Sequence, residues 1–342
     1  MTILYDPTDF NEISVLARWH GTIMPYVLGR PTIWFLLSAH VLFLFLHIYH
    51  TEVEMPICPW KLVGFPTALL TFFLVFYSSN CFKRYYQMFG HCMNMSGSVQ
   101  AYTGMLRVHF PDASVDELWN LSRYVIASVF LLYFQLAKGS DGGKMITKVE
   151  WARLLKTGLV NEHEIDRLRR FSKPPVLPWL LQTWGLRALC DKIAEVGKDA
   201  KTLSNFQNTV IKLQVDCRDL AATVEMPVPF PYYYTLTLML SLNLLLMAYA
   251  LIEFETIMTI PCFFIIALVA LGLKETAVSL SDPFGGEDVD FETEVYMAQM
   301  LANAKSMISE DAKQPGVQLG LATGREITTR DSKRALIAAK SK

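Results

Sequence analysis

Residues 62–82 read LVGFPTALLTFFLVFYSSNCF, bounded by Lys61 and Lys83 with no charged side chain between them. At about 1.5 Å per residue this run is long enough to cross a hydrocarbon core of ~30 Å, so it reads as a membrane-spanning helix. Four-residue steps place Ala68, Phe72, Phe76 and Asn80 near one face. The last turns change to Tyr77, Ser78, Ser79 and Asn80, which lipid does not reward, so that face wants a partner or water. Serine and asparagine can hold packed helices together. An aromatic stripe that runs into polar residues and then Lys83 and Arg84 equally suits a pore with an apolar constriction. The residues alone leave both readings open.

The surrounding composition agrees with a membrane protein. Of 342 residues, 52% are hydrophobic and 18% charged, against about 25% charged in an ordinary soluble domain. A net charge of −1 and a mean hydropathy of +0.28 exclude a nucleic-acid partner, because no basic face accumulates outside the tail. The six cysteines form no CxxC pair and are expected as free thiols. The N-terminus, MTILYDPTDFNEIS, lacks the basic region and apolar run of a signal peptide.

Working outward, residues 1–30 form a mixed segment whose Arg18 and Trp19 suit the membrane interface. Pro31–Thr51 is uncharged and supplies a first span, paired with the 62–82 run as a hairpin over 31–82. A second hairpin over 226–281 follows from the charge-free run Met226–Ile252, a turn at Glu253 and Glu255, and the apolar run Thr256–Leu273. Lys and Arg flank the spans on one side, whereas the opposite turns carry mostly Glu. The positive-inside rule then puts both termini and the 83–225 insert in the cytoplasm. The insert reads as a helical domain, with helices expected at Glu150–Leu159, Glu162–Phe171, Leu181–Val196 and Lys201–Thr223 and breaks at Gly158, Pro174/Pro175 and Gly197. Ser114 and Glu117 make a capping box. The apolar run behind it, Tyr124–Ala137, is too short to span and is expected as a buried core helix. A helix is expected over Phe291–Ile308. Lys313–Lys342, with seven basic and two acidic residues, closes a basic tail over 311–342.

Chemistry concentrates at 282–310. The loop DPFGGEDVDFE, Asp282–Glu292, sets four carboxylates within six residues directly after a span. Hard oxygens crowded on a glycine-rich loop suit Ca²⁺, though Thr293 stands where an EF-hand needs its glycine. An acidic first turn for the following helix explains the same residues; spacing does not choose between them. His40, His47 and His50 lack a metal box and read as interfacial polar residues. No nucleophile arrangement or phosphate loop appears, so an enzyme is not expected.

At this point the chain resembles the bestrophin family. DPFGGEDVDFE is similar to the bestrophin signature NPFGEDDDDFE without a gap. FLVFYSSNCFKRYYQ, 73–87, resembles the family's second span, with its arginine followed by two aromatics. MTI-Y at the start, Arg18–Ile23 and Phe230–Thr235 match animal-type patterns. The resemblance covers about residues 1–300. It implies an all-α membrane protein: a homopentamer in the lipid bilayer around one axial pore, each subunit with four transmembrane helices and a large helical cytosolic domain. The implied function is a channel for inorganic anions, chloride or bicarbonate, regulated by Ca²⁺ in animal members; a secondary anion transporter is the alternative. Carried over by position, the apolar neck falls on Ala68, Phe72 and Phe76, and a cytosolic aperture on Phe230. The calcium clasp falls on the side chains of Glu287 and Asp290 and the carbonyls of Ser279 and Asp282, with a further carbonyl between Asp6 and Phe10. Ala68 departs from the bulkier residue usual in the neck, and Glu287 replaces an aspartate. The plasma membrane is the expected location, a thylakoid or other organelle membrane the alternative.

Overall fold

The computed structural model describes residues 19, 22–49, 56, 58–137, 146–170, 176–285 and 290–309. Regular structure among them is entirely helical. In chain order the helices are α1 (Ile23–Leu28), α2 (Pro31–Tyr49), α3 (Trp60–His109), α4 (Val115–Leu136), α5 (Lys148–Lys156), α6 (Glu162–Arg169), α7 (Leu177–Val196), α8 (Ala200–Glu225), α9 (Phe230–Ala250), α10 (Thr259–Ser281) and α11 (Thr293–Ile308).

Helix α3 is the frame. Its 50 residues make a rod of about 75 Å, more than twice the thickness of a hydrocarbon core. The boundary expected at residue 83 is therefore not a structural break, since the helix runs unbroken through Lys83 and Arg84. Composition changes there, but nothing between Lys83 and His109 stops a helix: no proline occurs, and Gly90 and Gly97 face open space. One rod thus belongs to two cores. Its first half packs against α9 and α10, burying Leu70, Leu74, Tyr77 and Cys81 with Leu236, Leu240 and Phe263. Its second half packs against α8, α11 and α4, burying Met88, Cys92, Met95 and Tyr102 with Phe130, Phe206 and Met297.

Among the described residues four helices are long and apolar enough to cross a membrane: α2, α3, α9 with its 3₁₀ extension to Phe254, and α10. They belong to the first core. The short apolar run of α4 is buried on all sides from Val125 to Phe134 in the second, as its length required. Its capping box is formed, with the Glu117 carboxylate accepting from the Ser114 N–H at 2.9 Å. Gly158 and Gly197 adopt φ of +71° and +68°, the left-handed backbone with which helices end on glycine. Helix α7 starts at Leu177, not at the expected Leu181, because Pro178 suits a first turn whose N–H groups have no partner. Helix α6 ends at Arg169, two residues short of Phe171, and α11 begins at Thr293 instead of Phe291, whose N–H closes a loop described below.

His40 and His47 serve packing. His40 is fully buried; its Nδ1 lies 2.7 Å from the Ala248 carbonyl and its Nε2 3.2 Å from Thr259 Oγ1, tying α2 to α9 and α10. His47 pairs with Glu255 at 3.4 Å, and His50 lies outside the described residues. All six cysteines are free thiols.

The second core is locked by one buried ion pair. Arg123 of α4 donates to both oxygens of Glu164 on α6, at 2.6 and 2.7 Å. Glu164 also accepts from Tyr124 Oη at 2.5 Å and from the Asn161 N–H at 2.9 Å. Burial pushes the Glu164 carboxyl up, yet its bonds to Arg123, Tyr124 and Asn161 outweigh that and hold it below the usual range. Its contribution is therefore complete above the ordinary glutamate pKa of about 4.3 and is lost as the pH falls through the lower folded value. Glu164→Gln removes one charge from a buried pair and is expected to cost about 3 kcal/mol. Thermal melts of the two proteins at pH 7 should differ clearly, and the difference should begin to shrink as the pH falls below about 4.3; equal melting at pH 7 would show that the pair contributes nothing.

Candidate pore face and acidic loop

The expected neck residues share one uncovered face of α3. Ala68 is exposed, and Phe72 and Phe76 are 65% and 52% exposed within the subunit, whereas the alternating Leu70, Leu74 and Tyr77 are 5% exposed or less. A heptad-like spacing of Val63, Leu70, Leu74, Tyr77 and Cys81 turns the apolar back of the helix into the first core and leaves the phenylalanines outward. Their rings stack 6.4 Å apart at an interplanar angle of 11°. Thr71, Ser79 and Asn80 are also exposed, so the uncovered surface is aromatic and polar together. Packing within the subunit, one of the two readings open from the sequence, does not cover it.

Behind Phe76 stands a tyrosine layer, formed by Tyr77 and residues of the 230–235 pattern, whose packing together the sequence did not indicate. Tyr232 meets Phe76 edge-on at 6.3 Å and Tyr77 at 5.7 Å. Phe230 opens α9 behind Pro229, is 72% exposed and leans on Tyr234 at 6.2 Å. It lies two residues from Tyr232, which contacts Phe76, and so within about one helical turn of that tyrosine.

Arg84 joins the two cores below this layer. Its guanidinium donates to the carbonyls of Met226 at 2.5 Å, Ser281 at 2.9 Å and Val224 at 3.5 Å, so one side chain closes the C-terminal ends of both α8 and α10. Carbonyls at helix ends have no intrahelical donor, and a fork of N–H groups supplies several at once.

The acidic loop follows directly. The Phe291 N–H donates to the Pro283 carbonyl at 2.8 Å, closing the loop at its neck. The Phe291 ring packs on Tyr85 at 4.7 Å, Phe284 at 5.4 Å and Phe89 at 6.0 Å, which fastens the loop to the same helix that carries Phe72 and Phe76. Asp290 is buried, and one carboxylate oxygen lies 3.0 Å from the point that a Cβ on Gly285 would occupy. Only glycine leaves that approach free. Ser279 is half-buried in the last turn of α10, and the residue four positions on is Pro283. Proline has no N–H, so the Ser279 carbonyl cannot make the usual helical bond. Asp282 is exposed at the end of α10. Glu287 and the segment Asp6–Phe10 lie outside the described residues. Among those described, no three or more His, Cys, Asp and Glu side chains gather as a metal cluster. The donor chemistry still fits a hard cation: a buried carboxylate beside a glycine, and a carbonyl whose helical donor is missing.

Residues 5–306 match the family model described as Bacterial/Fungal Bestrophin protein. The chain belongs to the bestrophin family. None of the curated proteins matches it. Solved structures share its fold: a bacterial bestrophin homologue from Klebsiella pneumoniae is 18% identical, covering 82% of this chain and 98% of that one, with a TM-score of 0.72. A second structure of the Klebsiella pneumoniae homologue covers 83% and 98% at the same identity and TM-score. A structure described as that of a membrane protein covers 83% and 99%, with 18% identity and a TM-score of 0.73. Bestrophins are known as anion channels, and the four apolar helices agree with a membrane setting.

Proposed function

We propose that this bestrophin is one subunit of a homopentameric anion channel, permeable to chloride or bicarbonate, with Ala68, Phe72 and Phe76 lining an apolar neck. The observation that carries this reading is the uncovered aromatic and polar face of α3. One subunit has too little of that surface to enclose water, so the path forms between copies. Large, weakly hydrated anions lose less on shedding water beside phenyl rings, whose positive edges can face them. With Lys83 and Arg84 at the inner side, both termini and the second core are cytoplasmic. Purified protein in a planar bilayer should give unitary currents whose reversal potential follows anion substitution, and mass photometry should give a ring of five. A conducting monomer or dimer would end the pentamer, and carrier-type flux without unitary currents would favour a transporter.

The same reading gives the acidic loop a regulatory Ca²⁺, held by the side chains of Glu287 and Asp290 and the carbonyls of Ser279 and Asp282. When bound, the ion supplies the charge that keeps the clustered carboxylates together. The chain's own part is transmission: Phe291 rests on Tyr85 and Phe89, and α3 runs as a continuous rod from them to Phe76. Glu287→Gln with Asp290→Asn is expected to abolish the calcium dependence of the current and any stabilisation by calcium. Wild-type currents and melting that are both indifferent to chelators would leave these acids as the N-terminal turn of α11.

A further inference from the structure

We propose that Lys274 is a selectivity-determining residue: its ammonium, buried behind the neck, is a fixed positive charge that draws anions rather than cations into the path. Lys274 lies in α10, one of the four helices apolar enough to span a membrane, and is 8% exposed. An ionisable side chain buried inside such a segment is costly and is held there by a partner or by function. Among the described residues no carboxylate pairs with it. Its sequence neighbour Glu275 is engaged by Arg30 at 3.2 Å. The group that receives the ammonium is the ring of Tyr233, 5.2 Å away, a cation–π contact that tolerates the charge without neutralising it.

That ring leads to the pore face. Tyr233 lies 6.4 Å from Tyr77, Tyr77 5.7 Å from Tyr232, and Tyr232 6.3 Å from Phe76. The layer between Lys274 and the lower neck ring is thus aromatic, of low polarisability compared with water, and it screens the charge weakly. Phe72 and Phe76 carry no fixed charge, so an apolar neck ranks ions by hydration but contributes little to the choice of sign. Lys274 supplies that choice, repeated once per subunit around the axis. The neighbouring Arg84 is directed instead at the carbonyls of Val224, Met226 and Ser281. This inference rests on the anion-channel reading and adds the origin of its charge preference.

The test is the reversal potential of purified full-length channels in planar bilayers under a salt gradient, comparing wild type with K274M, K274Q and K274R. Both neutral variants are expected to lower the anion-to-cation permeability ratio about threefold or more, while the ranking among anions is kept and K274R retains the wild-type ratio. Neutral variants that conduct with the wild-type ratio overturn the proposal and leave the channel reading intact. Failure of both neutral variants to assemble, with K274R normal, makes Lys274 a structural cation and also overturns it. A wild type that passes no ions overturns the channel reading, and this inference with it.

Discussion

Replacing Phe72 and Phe76 together by alanine is expected to produce a channel that conducts without calcium. The two side chains are exposed within the subunit and stacked in parallel, one helical turn apart. Removing them takes little from the first core, which is built from Leu70, Leu74 and Tyr77 on the other face. Stability should change by less than about 1 kcal/mol per site, as for exposed positions. The path, by contrast, loses two phenyl rings from every copy, and a constriction that closed by dewetting becomes wide enough to stay wet. Bilayer recordings in chelator should show open channels, where wild type is closed, and anions should still be preferred, since alanine adds no charge. Phe230→Ala is expected to differ, altering the ratio among anions and leaving the calcium dependence in place. Should the double variant disassemble in detergent and conduct at no calcium level, the two rings pack subunits together and the path lies elsewhere.

Arg84→Met is expected to be the most damaging single change outside the neck. Three charge-assisted bonds end on the carbonyls of Val224, Met226 and Ser281, each worth ~1.5 kcal/mol or more. Their loss leaves the ends of α8 and α10 without donors where the two cores meet. About 4.5 kcal/mol in total corresponds to a fall of roughly 6 °C in melting temperature for a chain of this size. Arg84→Lys keeps the charge but has one compact head where the guanidinium has a planar fork, so it should recover less than half of the loss. The melting temperature in detergent decides: an Arg84→Met variant that melts with wild type would show that water or neighbouring donors satisfy those carbonyls equally well.

The proposed coupling between loop and neck takes a simple mechanical form. A helix transmits displacement along its axis because each turn is bonded to the next, and α3 has no proline between Phe72 and His109. Phe291 touches it at Tyr85 and Phe89, about two and a half and three and a half turns from Phe76. On the proposed reading, a shift of the acidic loop reaches the helix through the Phe291 ring and Phe76 through the helix itself.

Much of this architecture was legible in the chain because hydropathy and helix punctuation are local properties. The charge-free runs at 31–51, 62–82, 226–252 and 256–273 correspond to the four long apolar helices. The box of Ser114 and Glu117 starts α4, and Gly158 and Gly197 end helices with a backbone that other residues resist. Four-residue spacing put Ala68, Phe72 and Phe76 on one face before any packing was known. Whether that face was covered could not be read, since it depends on what α9 and α10 bury. The continuity of α3 was likewise hidden: a change from apolar to polar side chains says where a helix leaves lipid, not where its hydrogen bonds stop. The partners of Arg84 and Lys274 were the least accessible. Arg84 meets a carbonyl 197 positions away, and Lys274 meets the ring of Tyr233 on a different helix. Backbone carbonyls and ring faces occur at every turn of every helix, so no residue type or spacing marks the one that packing brings within reach.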